Sequence, residues 1–174
     1  MSFHIILFLI IPIITSGYAA VPWKHTEAYV LLKFRRQLSN TSAIKSWTEA
    51  NNPCTGNVSN WIAVRCNDNG EVIKLLLGRM GLSGYLDMGT LAGLPRLRAL
   101  NLQRNNFQGP ISDVNLLPSL RKLFMSYNKF SGAIQSDAFK GMSSLEAVEL
   151  AGNLLTGEIP VSLTDLPRLT NLTL

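Results

Sequence analysis

From Val72 to the C-terminus the chain repeats itself, and no other feature narrows its possible folds so far. One unit runs Leu97, Leu100, Leu102, Asn105, Phe107, Gly109, Ile111; the next runs Leu120, Leu123, Met125, Asn128, Phe130, Gly132, Ile134. A third runs Leu145, Val148, Leu150, Asn153, Leu155, Gly157, Ile159 and ends on Pro160. An earlier, more degraded copy begins at Val72 and passes through Leu75, Leu77, Met80, Leu82, Gly84 and Leu86, and a fifth opens with Leu169, Leu172 and Leu174. Aligned on Met80, Asn105, Asn128 and Asn153, successive copies are offset by 25, 23 and 25 residues. A unit this short cannot bury its own leucines, so the copies must stack on one another.

The chemistry of each position follows from that stacking. The alternating leucines predict a short strand whose apolar side chains point inward while the residues between them point out. Burying each leucine contributes roughly 1.5–3 kcal/mol. The asparagine column (Asn105, Asn128, Asn153) follows the strand because a short amide satisfies backbone groups where the chain turns inward. The glycine that comes next lets the backbone turn again. This pattern is identified as the leucine-rich repeat. It implies an α/β solenoid with a curved parallel sheet on the concave face, four repeats and the start of a fifth over 72–174. The leucines of the last copy have nothing after them to cover them. The array is therefore expected to lack a C-terminal cap and to be a portion of a longer one.

The front end reads differently. Thr26 is an N-cap for a helix over 26–38 that carries Ala28, Leu31, Leu32 and Leu38 on one face, with Glu27 in its acid-favouring first turn. Asn51, Asn52 and Pro53 break the chain. Trp61 to Cys66 then reads as a strand, and Asn69 with Gly70 as a hairpin turn into Glu71 and Val72. Residues 20–71 are thus expected to form a helix–hairpin cap sealing the first repeat. Before them, the apolar run Ile5 to Ile14 and the small residues Gly17 and Ala19 predict a signal peptide over 1–19, cleaved before Ala20. In the oxidising compartment this implies, Cys54 and Cys66 are expected to form one disulfide. Three sequons, at Asn40, Asn57 and Asn171, fit the same compartment. No metal site is expected: His4 leaves with the signal and His25 stands alone. No cofactor is expected either.

Taken together, Glu27 to Phe34, Ser46 and Trp47, Pro53 and Cys54, Trp61 to Cys66, and the glycine-containing tail of each repeat resemble the extracellular region of plant leucine-rich-repeat receptor kinases. Gly81 to Gly84, Thr90 to Pro95 and Ser136 to Met142 are similar, more narrowly, to the pollen receptor-like kinases. The resemblance implies a cell-surface receptor of pollen whose ectodomain perceives a secreted peptide or small protein, with a co-receptor as a further partner. It also implies a transmembrane helix and an intracellular kinase domain, neither of which is in this chain, so membrane attachment would come only through a region beyond it. Ala63 departs from the usual glycine of the cap motif, and Met80 replaces the first asparagine. Only Glu158, Ile159 and Pro160 keep the full tail.

The outward strand positions carry the candidate binding residues. The first three repeats present Lys74, Arg79, Arg98, Arg104, Arg121 and Lys122; the fourth changes sign with Glu146 and Glu149. Arginines and aromatics are the usual interface anchors. Arg98, Arg104, Arg121, Lys122, Phe124 and Tyr127 are therefore the expected site for an acidic secreted polypeptide. The formal net charge of +5 also raises polyanions. A secreted chain without a nucleic-acid motif argues against nucleic acid, and wall polyanions stay open. Catalysis is not expected, because the glycines around Gly78 to Gly84 fit neither a dinucleotide fingerprint nor a P-loop, and one histidine builds no triad. A stand-alone secreted inhibitor or decoy in the cell wall is the alternative to a receptor at the plasma membrane.

Overall fold

The computed structural model describes residues 26–174. The signal-peptide reading, the cleavage point, His4 and His25 therefore lie outside the described residues. Helix α1 spans Glu27–Arg36, and Thr26 caps it by accepting a hydrogen bond from the Tyr29 N–H at 3.2 Å. Its last turn carries Lys33, Arg35 and Arg36, complementing the helix dipole. The buried face is Val30, Leu31, Leu32 and Phe34. Ala28 is only partly buried, and Leu38 is buried beyond the helix, in strand β1 (Leu38–Ser39).

Strands β2 (Cys54–Thr55) and β3 (Val58–Ser59) form a small hairpin, followed by β4 (Val64–Cys66) and β5 (Val72–Leu76). The expected strand from Trp61 is thus shorter at its start. Residues 61–63 form a turn, and Ala63 sits in the left-handed region at φ 67°. An alanine pays for that conformation where glycine would not, which is the physical meaning of the departure noted at this position. The Asn69–Gly70 turn forms as expected, with Asn67 Oδ1 accepting from the Asn69 and Glu71 N–H groups. A disulfide joins Cys54 to Cys66, and Trp47 stacks on Trp61 at 5.7 Å between ring centroids.

The repeats alternate between two sheets. β6 (Ser83–Tyr85) leads to the short helix α2 (Met88–Leu91) and β7 (Ala99–Asn101). β8 (Asn106–Gly109), β9 (Lys122–Phe124), β10 (Lys129–Ala133), β11 (Ala147–Glu149) and β12 (Leu154–Thr156) follow. The chain ends through the short helix α3 (Val161–Thr164) and β13 (Asn171–Thr173). The concave sheet runs β4-β5-β7-β9-β11-β13, parallel throughout except that β4 pairs antiparallel with β5. The sequence pointed to this sheet alone. A second sheet, β1-β6-β8-β10-β12, forms from the glycine segments, with β1 closing it antiparallel. Gly84, Gly109, Gly132 and Gly157 all have positive φ there, so the same repeat position bends the backbone every time.

Between the sheets lies a single core. Leu75, Leu100, Leu123 and Val148 are fully buried in register, and Phe107 and Phe130 stack in parallel planes at 6.2 Å. Side-chain amides, buried at Asn105 and Asn128 and half-buried at Asn153, tie the repeats together. Asn105 Oδ1 accepts from Met80 N–H and Leu82 N–H at 3.1 and 3.0 Å, and its Nδ2 donates to Leu77 O and Leu102 O at 2.8 and 2.9 Å. Asn128 repeats the arrangement with Phe107 N–H, Leu102 O and Met125 O, and Asn153 with Phe130 N–H, Met125 O and Leu150 O. Each amide therefore bridges its own repeat to the one before it.

Candidate ligand-recognition surface

In a parallel sheet the strand registers decide which outward side chains become neighbours. Register pairs Lys74 with Ala99, Lys122 and Ala147, and Leu76 with Asn101, Phe124 and Glu149. Four of the six candidate residues converge: Arg98, Arg121, Lys122 and Phe124 line a groove of about 480 Å³ together with Ile73 and Leu76. Phe124 is half-buried there, opposite Asn101 in register. The groove thus combines apolar side chains with cations, and Glu146 adds one carboxylate to its lining.

The remaining two candidates lie apart. Arg104 and Tyr127 follow the strands at the other end of the surface, where the Arg104 guanidinium carbon stands 4.4 Å from the centre of the Tyr127 ring. Both residues have left-handed backbone, at φ 53° and 57°, as does Arg79 at 59°. In the fourth repeat the same position is Gly152, at φ 69°. A β-carbon on Gly152 would stand 2.7 Å from the Tyr127 ring, so that glycine makes room for the aromatic ring. This conformation costs a non-glycine residue on the order of 1 kcal/mol. Sequence reasoning missed it, and the lone glycine at 152 was the available signal.

Charges on the surface are partly spent on one another. Arg121 Nε donates to Glu146 Oε1 at 2.8 Å, with Nη2 on the same oxygen, and Gln103 donates to Glu149. Among the described residues Arg98, Lys74 and Lys122 make no ion pair. The acidic fourth repeat therefore neutralises Arg121 and leaves the first three repeats as the cationic end. Ser126, an outward position by pattern, is buried at 3% exposure and presents nothing to a partner.

The other sequence-singled residues are dispersed. Asn57 is exposed in the β2–β3 turn and Asn171 is exposed on β13. Asn40 Nδ2 donates to Gly81 O at 2.8 Å, so its amide already fastens the cap to the first repeat. Glu27, at the start of α1, accepts from the Val72 N–H at 2.8 Å. Burial raises its carboxyl above the ordinary 4.5; the Val72 hydrogen bond opposes that and the neighbouring Glu71 adds to it. No described helix is long and apolar enough to cross a membrane. Among the described residues no three His, Cys, Asp or Glu side chains gather as a metal site.

Comparison with known proteins agrees with this architecture. Residues 24–67 match the leucine rich repeat N-terminal domain, and residues 118–174 match the leucine rich repeat. Pollen receptor-like kinase 5 of Arabidopsis thaliana is 39% identical over 143 residues, covering 82% of this chain and 20% of that protein. The chain thus spans about a fifth of the length of that relative. The crystal structure of a Pollen Receptor Kinase 3 superposes with a TM-score of 0.73 at 36% identity, covering 81% of this chain and 67% of that one. The Arabidopsis receptor kinase HAESA, solved in complex with the peptide hormone IDA and the co-receptor SERK1, has a TM-score of 0.62 at 28% identity, over 87% of this chain and 29% of that one. With its fold, its disulfide and these similarities in agreement, the chain belongs to the leucine-rich-repeat ectodomains of plant receptor-like kinases, among relatives that include the pollen receptor-like kinases.

Proposed function

We propose that this chain is the extracellular recognition portion of a plant receptor-like kinase and binds an acidic secreted peptide or small protein on its concave face. The groove carries the reading: Ile73, Leu76 and Phe124 offer an apolar seat beside the cations Arg98 and Lys122, which make no ion pair among the described residues. Apolar anchors supply affinity and surrounding charges supply orientation and encounter rate. The sheet beneath is held by buried leucines and asparagine bridges, so little conformational freedom is lost when a ligand docks. HAESA, a structural neighbour, is solved with a peptide hormone and a co-receptor, and a co-receptor is accordingly a further partner in this reading. Residues 1–19 direct the chain into the secretory pathway, 20–71 cap the array and 72–174 form it, with glycans on the sequon asparagines.

The test uses the full chain and a triple variant, Arg98→Gln, Lys122→Gln and Phe124→Ala, immobilised side by side and exposed to apoplastic fluid from reproductive tissue. Mass spectrometry should find at least one secreted acidic polypeptide retained by the wild type and lost from the variant. An identical set of retained proteins on both surfaces would refute the concave site.

A further inference from the structure

A second groove lies along the edge of the concave sheet where the chain enters its strands, and its chemistry differs from the first. It has a volume of about 350 Å³ and is lined by Arg96, Arg98, Ser119, Arg121, Ser144 and Arg168. Four of these six side chains are guanidinium groups and two are hydroxyls; none is aliphatic or aromatic. The repeat produces this arrangement. Arg96, Ser119, Ser144 and Arg168 each precede the first leucine of a strand segment, at Leu97, Leu120, Leu145 and Leu169, so they occupy one column of the solenoid. Arg98 and Arg121 occupy the adjoining outward column and are shared with the apolar groove.

Two carboxylates border the cluster. Glu71 holds Arg96 loosely at 3.6 Å, and Glu146 binds Arg121. Arg98 and Arg168 have no acidic partner among the described residues, and Arg96, Arg98, Arg121 and Arg168 are all exposed. Ser119 Oγ donates to Pro95 O at 2.8 Å, which fixes the floor between the arginines. Like charges held this close are repulsive in the free protein, and an anionic ligand relieves that repulsion.

We propose that this arginine-lined groove binds a linear acidic polysaccharide, a polyuronate, whose successive carboxylates and hydroxyls run across the strand ends. The lining favours a glycan over a peptide: guanidinium groups bind carboxylates by paired hydrogen bonds, and the serines match sugar hydroxyls. A peptide would find no apolar anchor here, whereas the neighbouring groove supplies one at Phe124. Arg96 and Arg168 lie outside the polypeptide groove, so the two sites can fail separately.

The experiment titrates the full chain with an oligogalacturonate of defined length by calorimetry, over a series of salt concentrations. Wild type should bind, more weakly as salt rises, and the Arg96→Gln/Arg168→Gln pair should weaken binding at least about tenfold and flatten the salt dependence. The control pair Lys129→Gln/Lys140→Gln, which removes the same charge from exposed positions elsewhere, should bind like wild type. Full methyl esterification of the ligand should abolish binding. Absence of wild-type binding would overturn the proposal, as would equal losses in the two variant pairs or undiminished binding of the esterified ligand. A poly-glutamate of equal charge binding more tightly than the oligouronate would reassign the groove to an acidic peptide.

Discussion

Replacing Asn105 with alanine tests the physical role of the asparagine column. The side chain is 8% exposed and makes four hydrogen bonds of 3.1 Å or less, all to backbone groups. Alanine leaves the buried Leu82 N–H and the Leu77 carbonyl without their partner. Leu102 O keeps its bond from Asn128 Nδ2 at 2.9 Å, and the Met80 N–H is only partly buried, so neither adds a full penalty. Two orphaned buried groups at about 1–3 kcal/mol each, with a smaller share from Met80, give a loss of about 3–5 kcal/mol. For a urea dependence of about 2 kcal/mol per molar, the unfolding midpoint should fall by about 2 M. Circular dichroism during urea unfolding reads this directly. Asn106→Ala, next in sequence but exposed, should stay within about 0.5 kcal/mol of wild type. Asn105→Asp provides the sharper comparison: it keeps the size and the acceptor but turns the donor into a second carboxylate oxygen facing two carbonyls. A loss below about 1 kcal/mol for alanine, or wild-type stability for aspartate at neutral pH, would refute the reasoning.

Two further outcomes follow from backbone and charge. Ala63→Gly should stabilise by roughly 0.5–1 kcal/mol, because relief of the left-handed alanine outweighs the extra freedom of glycine in the unfolded chain; an unchanged or lower urea midpoint would contradict this. Glu27 has a folded pKa raised above 4.5, chiefly by burial, so its folded state holds the proton more tightly than the unfolded chain does. Its contribution is fully present below pH 4.5 and is lost as the pH rises through the raised value. Glu27→Gln keeps an acceptor for the Val72 N–H without the charge, and should therefore gain stability relative to wild type between pH 4.5 and pH 7. A pH-independent difference between the two proteins would exclude Glu27 as the titrating group.

Much of the molecule was legible before any coordinates. Leu75, Leu100, Leu123 and Val148 recur because each must be buried against the next copy, and their recurrence alone specified parallel stacking. Thr26 marked the helix start, since only a short polar side chain there satisfies a free N–H of the first turn. The second sheet was not legible. Its repeat strands are three to five residues long, carry glycine in β6, β8 and β10 and precede one in β12, and acquire strand character only by pairing with neighbouring copies. The left-handed backbone at Arg79, Arg104 and Tyr127 was hidden for a similar reason: the turn belongs to the repeat position, recurs even where Met80 replaces the following asparagine, and is not announced by the residue identities.

The candidate surface divides along the same line. That basic residues gather over the first three repeats is a property of the sequence, because strand alternation tells which side chains point outward. Which of them act together was decided by register between strands more than twenty residues apart. Register set Arg121 against Glu146, drew Arg104 onto the Tyr127 ring, and left Arg98 and Lys122 without acidic partners among the described residues. It also brought Arg96 and Arg168 to one groove although 72 residues separate them. Periodicity is local information and determines a solenoid by itself. Charge pairing depends on distances of a few ångströms across the stack, and only the folded structure brings those groups within reach of one another.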